Sequence, residues 1–277
     1  KWFPDRPGMA TGMAIMGFGG GAMIASPLSQ WLMDTFSGPT STGVAEAFMC
    51  LGGIYFIFMM FGMLTVRVPA PGWQPMGFDP AEQKKSKLIT SNHVTADNAI
   101  KTPQFYLLFA VLMLNVTAGI GVLGQAKLMI KEMFYGNEPN METVTAASVG
   151  FVGLLSLFNM GGRFFWSSLS DKIGRKNTYT TFFLLAACMY FLVQYSGQIG
   201  SIGLFVTVCA VAMTIYGGGF ATVPAYLRDL FGTLNVGAIH GRLLLAWSMA
   251  ALIGPSLVNY IREYQINEMG VAKSQAY

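Results

Sequence analysis

The chain has 277 residues, of which 53% are hydrophobic and only 11% charged, with a formal net charge of +4. Soluble domains carry about 25% charged residues, so a chain this long and this apolar exceeds what one soluble core can cover. The basic residues fall into short segments rather than one patch, which argues against a nucleic-acid partner, and the three cysteines (Cys50, Cys188 and Cys209) sit in apolar runs without a C-x-x-C pair and read as inert thiols.

The chain opens on Lys1 with no signal-peptide pattern and reads as an internal segment of a longer protein. Residues 1–8, KWFPDRPG, are polar and aromatic; Pro4 and Pro7 oppose a regular helix there, and Trp2 and Phe3 suit a membrane interface. The first apolar run covers 9–33, long enough for a bilayer core of roughly 30 Å. Its density of glycine (Gly8, Gly12, Gly17, Gly19, Gly20, Gly21) predicts close helix packing, with a flexing or substrate-facing helix as the alternative. A second span, 43–66, ends at Arg67. The polar segment 67–103 follows, with Pro69, Pro71, Pro75 and Pro80 and with Lys84, Lys85, Lys87 and Lys101 set against Asp79, Glu82 and Asp97; it is the best domain boundary, and its His93 reads as solvated.

The third span, 104–130, carries Asn115, Thr117, Gln125 and Lys127 among apolar residues. Asn115-Val116-Thr117 matches a glycosylation triplet, but its depth in the membrane excludes that reading. The fourth span, 144–168, runs into GGRFFWSSLSDKIGRKN (161–177), where an apolar helix meets a short loop holding Asp171, Lys172, Arg175 and Lys176, and where Gly174 permits a tight turn. The fifth (178–197) and sixth (200–226) spans are joined by the charge-free residues 196–201 and form an antiparallel pair. Gly217–Gly219 and Pro224 can loosen the sixth. A loop over 227–242 leads to the seventh span, 238–261, and to a polar tail.

The fold class is therefore an all-α integral membrane protein with seven transmembrane helices. Placing the opening segment, 67–103, 171–176 and 227–242 on one side gives that side Lys1, Arg6, Arg67, Lys84, Lys85, Lys87, Lys101, Lys172, Arg175, Lys176, Arg228 and Arg242. The other side keeps Lys127, Lys131, Arg262 and Lys273. This asymmetry makes the first side cytoplasmic, with residue 1 inside and residue 277 outside.

Polar residues inside spans are the candidates for chemistry, because a charge at mid-membrane costs at least ~3 kcal/mol and needs a partner or a purpose. Arg163 lies about two turns deeper than Asp171 and is the leading substrate ligand; its planar fork suits a carboxylate better than a lysine does. Lys127 is one turn from the outer end of its span and can snorkel. Gln125, Asn115, Asn159, Tyr216 and Trp247 are candidates to line a polar cavity, although for each alone helix–helix bonding or packing is the plainer reading. His240 and Arg242 read as interface residues with gating as the alternative. No H-E-x-x-H, G-x-S-x-G or P-loop pattern is present, so no enzymatic activity, cofactor or metal is expected.

Ser167-Ser168-Leu169-Ser170-Asp171-Lys172-Ile173-Gly174-Arg175-Lys176 resembles the cytoplasmic loop motif G-x-L-[SA]-D-[RK]-x-G-R-[RK] of the major facilitator superfamily, with Ser167 in place of the first glycine. In that family the motif follows helix 2 and, more loosely, helix 8; the basic segment two spans earlier selects helix 8. The resemblance implies that the seven spans are helices 5 to 11 of a twelve-helix transporter: 1–66 the last two helices of the N-terminal half, 67–103 the cytoplasmic central loop, and 104–277 helices 7 to 11, with helices 1–4 and 12 missing. KWFPDRPGMATGMAIMGFGGGA, NVTAGIGVLGQA and GAIHGRLLLAWSMAALIGP are similar to the oxalate/formate antiporter family, which exchanges small carboxylates.

That resemblance implies a basic residue on helix 8 and another on helix 11 as a dicarboxylate clamp. Arg163 falls at the first position, whereas the second is Trp247, which is not basic; a monocarboxylate on one arginine fits this better. It also implies that Asp171 faces the start of the first span, near Gly8–Ala10 and Arg6, where a helix N-terminus offers free N–H groups and partial positive charge. The expected function is exchange of small carboxylates across a bacterial inner membrane by a monomer, whose partners are the substrate, the lipid and the missing helices. A proton-coupled monocarboxylate symporter and a non-transporting membrane sensor are the alternatives.

Overall fold

The computed structural model describes residues 2–39, 41–70, 72–77, 90, 92–136, 141–273 and 276. Helix α1 covers Pro7–Phe36, and a two-residue antiparallel pairing, β1 (Ser37–Gly38) with β2 (Ser41–Thr42), leads to α2 (Val44–Thr65). A single turn, α3 (Ala96–Ala99), precedes α4 (Pro103–Phe134), α5 (Met141–Ile173), α6 (Arg175–Gln198), α7 (Ile202–Phe231), α8 (Val236–Leu243) and α9 (Leu245–Asn267). Among the described residues seven helical stretches are long and apolar enough to cross a membrane, the last running from α8 into α9. This is a multi-pass membrane protein.

The helix ends have local causes. Pro7 and Pro103 start α1 and α4, where their missing N–H costs nothing and their fixed φ is already helical. The Thr102 and Ser201 hydroxyls cap α4 and α7 by accepting from Phe105 and Leu204 N–H. Gly174 (φ 86°) and Gly232 (φ 82°) end α5 and α7 in a backbone region that other residues rarely adopt.

The chain divides into two compact units, with the division falling inside α1 after Gly20. In the smaller unit Trp2 Nε1 donates to the Arg67 carbonyl (2.9 Å) and meets Trp73 edge-on at 4.7 Å. Leu32 packs with Ala47 and Leu51, the two buried residues of α2. The rest of α2 exposes apolar side chains such as Phe48, Phe56 and Phe58, on a helix long and apolar enough to cross a membrane.

The larger unit is built around α7, the most buried of the membrane helices. Its main helix pairs are α5 with α7 and α4 with α9. Contacts along each pair rise together in residue number: Trp166 meets Thr214 and, two residues past the end of α5, Arg175 meets Asp229, while Gln125 meets Asn259 and Glu132 meets Arg262. Both pairs are therefore parallel. Residues 8–20 of α1 run antiparallel to α5, with Gly8 at Asp171 and Ile15 at Arg163. Parallel partners two or four spans apart and antiparallel partners three apart are what successive crossings require.

Several expectations are corrected. The charged stretch over Asp171–Lys176 is not a loop: α5 continues to Ile173 and α6 starts at Arg175, with Gly174 alone between them. The 227–242 loop is largely helical, since α7 runs to Phe231 and α8 holds Val236–Leu243. Pro7 begins a helix instead of preventing one, and α4 continues seven residues past Lys127, about 10 Å, so that lysine is two turns from the helix end. The physical reason is shared: backbone hydrogen bonding goes on past the charged residues, whereas apolar length marks only the hydrocarbon depth. Within 67–103, Asp79, Glu82, Lys84, Lys85 and Lys87 lie outside the described residues, as do Pro71, Pro80 and, at the start of the chain, Lys1.

Candidate functional site

Gly8, Gly12 and Gly19 recur at helical spacing on one face of α1, and this face lies against α5. A methyl on Gly12 would overlap the Ser167 hydroxyl and come within 2.7 Å of the Arg163 carbonyl; one on Gly19 would come within 2.7 Å of Arg163 Nε. Only glycine allows so close an approach, as the glycine density of this span predicted.

Close approach of α1 buries Arg163 completely. Its Nε donates to Asn159 Oδ1 one turn earlier on α5 (3.1 Å), and its Nη1 donates to the Ile15 carbonyl of α1 (3.3 Å). Nη2 is buried with no hydrogen-bond acceptor, and no carboxylate pairs with this guanidinium among the described residues. Its Cζ lies 5.1 Å from the Phe18 ring centre and 5.2 Å from that of Phe220, cation–π range for both. The two rings are 6.4 Å apart, so they form a corner around the cation and not a sandwich. Trp247 closes an aromatic triangle with them, 6.2 Å from Phe18 and 4.5 Å from Phe220, and Tyr216 stands 5.7 Å from Trp247. The cation thus sits about eight residues, or roughly 12 Å of helix, from Asp171, among side chains that delocalise its charge without neutralising it.

At the end of α5, Asp171 accepts from both Gly8 N (3.0 Å) and Met9 N (2.9 Å), two of the free N–H groups in the first turn of α1. Arg175 Nη2 reaches Asp171 at 2.6 Å while its Nε reaches Asp229 of α7 at 3.2 Å, and a further N–H donates to the Ser170 hydroxyl. One buried guanidinium thus joins the ends of α5, α6 and α7. The motif divides by direction: Asp171 and Arg175 face inward, Lys172 and Lys176 face out. Arg6 is exposed just before α1, and its carbonyl accepts from Ala10 N. The same end holds Arg242, paired with Asp97 at 2.6 Å, and Thr90 and Val94, whose N–H groups donate to the Asp229 and Phe231 carbonyls.

Of the remaining candidates, Asn159 and Tyr216 join the Arg163 surroundings, the former as the group that orients the guanidinium. Trp247 reaches the cluster through Phe18 and Phe220. Gln125 Nε2 instead donates to Asn259 Oδ1 (2.8 Å), tying α4 to α9, and Lys127 is exposed and makes no contact with Arg163. Asn115 and Tyr216 line a small, mostly apolar crevice between α4, α6 and α7, with Leu114, Phe183 and Tyr190 in its walls. His240 lies 6.1 Å from the Phe220 ring.

Sequence reasoning missed Phe18, Phe220 and the Ile15 carbonyl, since an aromatic or a backbone group in an apolar run carries no signal of its own. It missed Asp229 by placing it in a loop. It also missed the Glu132–Arg262 pair, two-pronged with one bond at 2.9 Å, which joins the far ends of α4 and α9; opposite charges at matching ends of two parallel spans were the available clue.

A family model described as Major Facilitator Superfamily matches residues 1–255. The chain is 30% identical over 259 residues to the oxalate:formate antiporter of Oxalobacter formigenes, covering 93% of this chain and 56% of that protein. It is 24% identical to the uncharacterized MFS-type transporter YhjX of Escherichia coli (91% of this chain, 57% of that protein) and 22% identical to apicoplast pyruvate carrier 1 of Toxoplasma gondii (87% and 51%). The chain spans about half the length of the curated relatives it matches.

Proposed function

Because this chain belongs to the Major Facilitator Superfamily, we propose that it serves in secondary transport of small carboxylates, exchanged by alternating access, with Arg163 as the main anion ligand. The observation that carries this reading is the buried Arg163 guanidinium at mid-helix depth, with Nη2 unpartnered and no carboxylate beside it among the described residues. A cation so placed costs at least ~3 kcal/mol in a membrane, a cost that an anionic cargo offsets. The names of two relatives, an oxalate:formate antiporter and a pyruvate carrier, agree with a small carboxylate.

A monocarboxylate is the favoured class. The groups around Arg163 are aromatic rings, an amide and a carbonyl, with Trp247 where the resemblance to the antiporter family would put a second basic residue. A second carboxylate on the cargo would face ring faces, which repel anions.

In this reading residues 1–66 supply the last two helices of an N-terminal half, 67–103 the central loop and 104–277 most of a C-terminal half. The end with Gly8, Asp171 and Asp229 is cytoplasmic, in a bacterial inner membrane, and Asp171 on the first turn of α1 holds that side closed. The carrier acts as a monomer.

The test is carboxylate binding and counterflow with Arg163→Gln in the full-length carrier. Formate and pyruvate affinity should fall at least tenfold, since a charge-assisted hydrogen bond is worth about 1.5–3 kcal/mol. Affinity equal to wild type would refute the ligand role.

A further inference from the structure

We propose that Ile15 and Phe18 of α1 are a built-in competitor for the anion, holding the edge and the flank of Arg163 that a carboxylate must take. The inference rests on the reading of Arg163 as the carboxylate ligand.

A guanidinium captures a carboxylate best through two parallel N–H groups, on either its Nε/Nη edge or its Nη1/Nη2 edge. In Arg163 the Nε is engaged by Asn159 of its own helix, which leaves the Nη1/Nη2 edge. Half of that edge is held by the Ile15 carbonyl, and Phe18 stands against the same cation at 5.1 Å. Room is lacking as well: Arg163 has no exposed surface, and the backbone at Gly12 and Gly19 lies so close to α5 that not even a methyl group fits between them.

A backbone carbonyl inside a helix does not rotate away alone. Freeing the Nη1/Nη2 edge therefore means shifting α1 off α5. Asn159 and Phe220 would stay with Arg163 in that shift, because α7 is the most extensive partner of α5. Ile15 and Phe18 would leave together, and so would Gly8 and Met9, which the Asp171 carboxylate holds on the same continuous helix.

A carboxylate on Arg163 and a docked α1 therefore exclude one another. By linkage each weakens the other by the same factor. Phe18 is then a positioning residue: it sets how strongly α1 competes, and so how tightly a small acid binds.

The test uses the full-length carrier in nanodiscs, with formate, pyruvate and oxalate as probes. Ser167 is fully buried beneath Gly12. In a background with Cys50, Cys188 and Cys209 replaced, Ser167→Cys should react with N-ethylmaleimide only as α1 lifts. Formate or pyruvate should speed that labelling. Phe18→Ala should tighten carboxylate affinity roughly 2- to 30-fold, the range a cation–π contact is worth, and should speed labelling without carboxylate. Phe18→Leu, which keeps bulk and loses the ring, should do so in the same direction. In Arg163→Gln carboxylates should leave labelling unchanged.

The inference is overturned if carboxylates bind in an Arg163-dependent way yet slow or leave unchanged the labelling of Ser167→Cys, or if both Phe18 variants bind no tighter than wild type. If Arg163→Gln binds as wild type does, or none of the three acids binds, the ligand reading itself falls and takes the inference with it.

Discussion

Replacing Asp171 with Asn weakens the contact that holds the first turn of α1 on α5, along with the Asp171–Arg175 ion pair. The carboxylate accepts from Gly8 N at 3.0 Å and from Met9 N at 2.9 Å, and its side chain is only 15% exposed, so solvent screening is slight. Each hydrogen bond to a charged group contributes about 1.5–3 kcal/mol, and an anion at a helix N-terminus adds about 0.3–1 kcal/mol. Asparagine keeps one oxygen acceptor and turns an amino group toward the second N–H. The net loss is about 2–4 kcal/mol, a shift of roughly 30- to 1,000-fold toward the undocked helix. Amide hydrogen exchange reads this directly, because exchange of protected N–H groups tracks the opening equilibrium. The peptide covering residues 6–12 should exchange faster by that factor in the variant, and the α2 peptide, in the other compact unit, should not change. Exchange within threefold of wild type over 6–12 would show that Asp171 contributes little to docking and that the glycine face suffices.

Two more changes probe other layers of the same argument. Gly12→Ala should cost about 1–3 kcal/mol through overpacking against Ser167 and Arg163, whereas Gly17→Ala, with open space around it, should leave thermal unfolding of the protein in detergent unchanged or slightly raised. A double-mutant cycle of Glu132→Gln and Arg262→Gln should give a coupling of about 1–3 kcal/mol in the same unfolding assay, because the pair is two-pronged and both side chains are about 15% exposed; additivity within 0.5 kcal/mol, about the scatter seen for independent sites, would show the pair to be dispensable.

The number and type of the membrane helices were legible because lipid makes one demand of every residue in a span. A run of apolar side chains of fixed length has few other uses, and all seven spans correspond to helical stretches. Helix ends were less legible. Polar residues such as Lys131, Asp171 and Arg228 signal the edge of the hydrocarbon, but the backbone stays helical through them; α5 and α7 stop at Gly174 and Gly232, and α4 and α7 start at the capping Thr102 and Ser201. Charge therefore misleads about conformation, which is why a helix–glycine–helix junction reads as a loop.

The candidate site divides along a similar line. Arg163 and Asp171 stood out because a charge in or beside an apolar run is costly and must be accounted for. Asp229 carries the same kind of charge, but a charge in a loop is solvated at little cost and gives no signal, and its partnership with Arg175 depends on α7 running one turn further. Phe18 and Phe220 are aromatic residues among many. What singles them out is that α1 comes close enough to put one ring on Arg163 while α7 supplies the other, and the close approach in turn depends on Gly12 and Gly19. The glycine spacing was visible in the sequence as a packing signal. Its consequence was not, because nothing in the spacing of one helix says which side chain of another it will cover. The same face of α1 places its first-turn N–H groups on Asp171 and its Ile15 carbonyl on Arg163, so the Asp171 and Arg163 contacts are two ends of a single helix–helix contact, and a perturbation at either end should be read at the other.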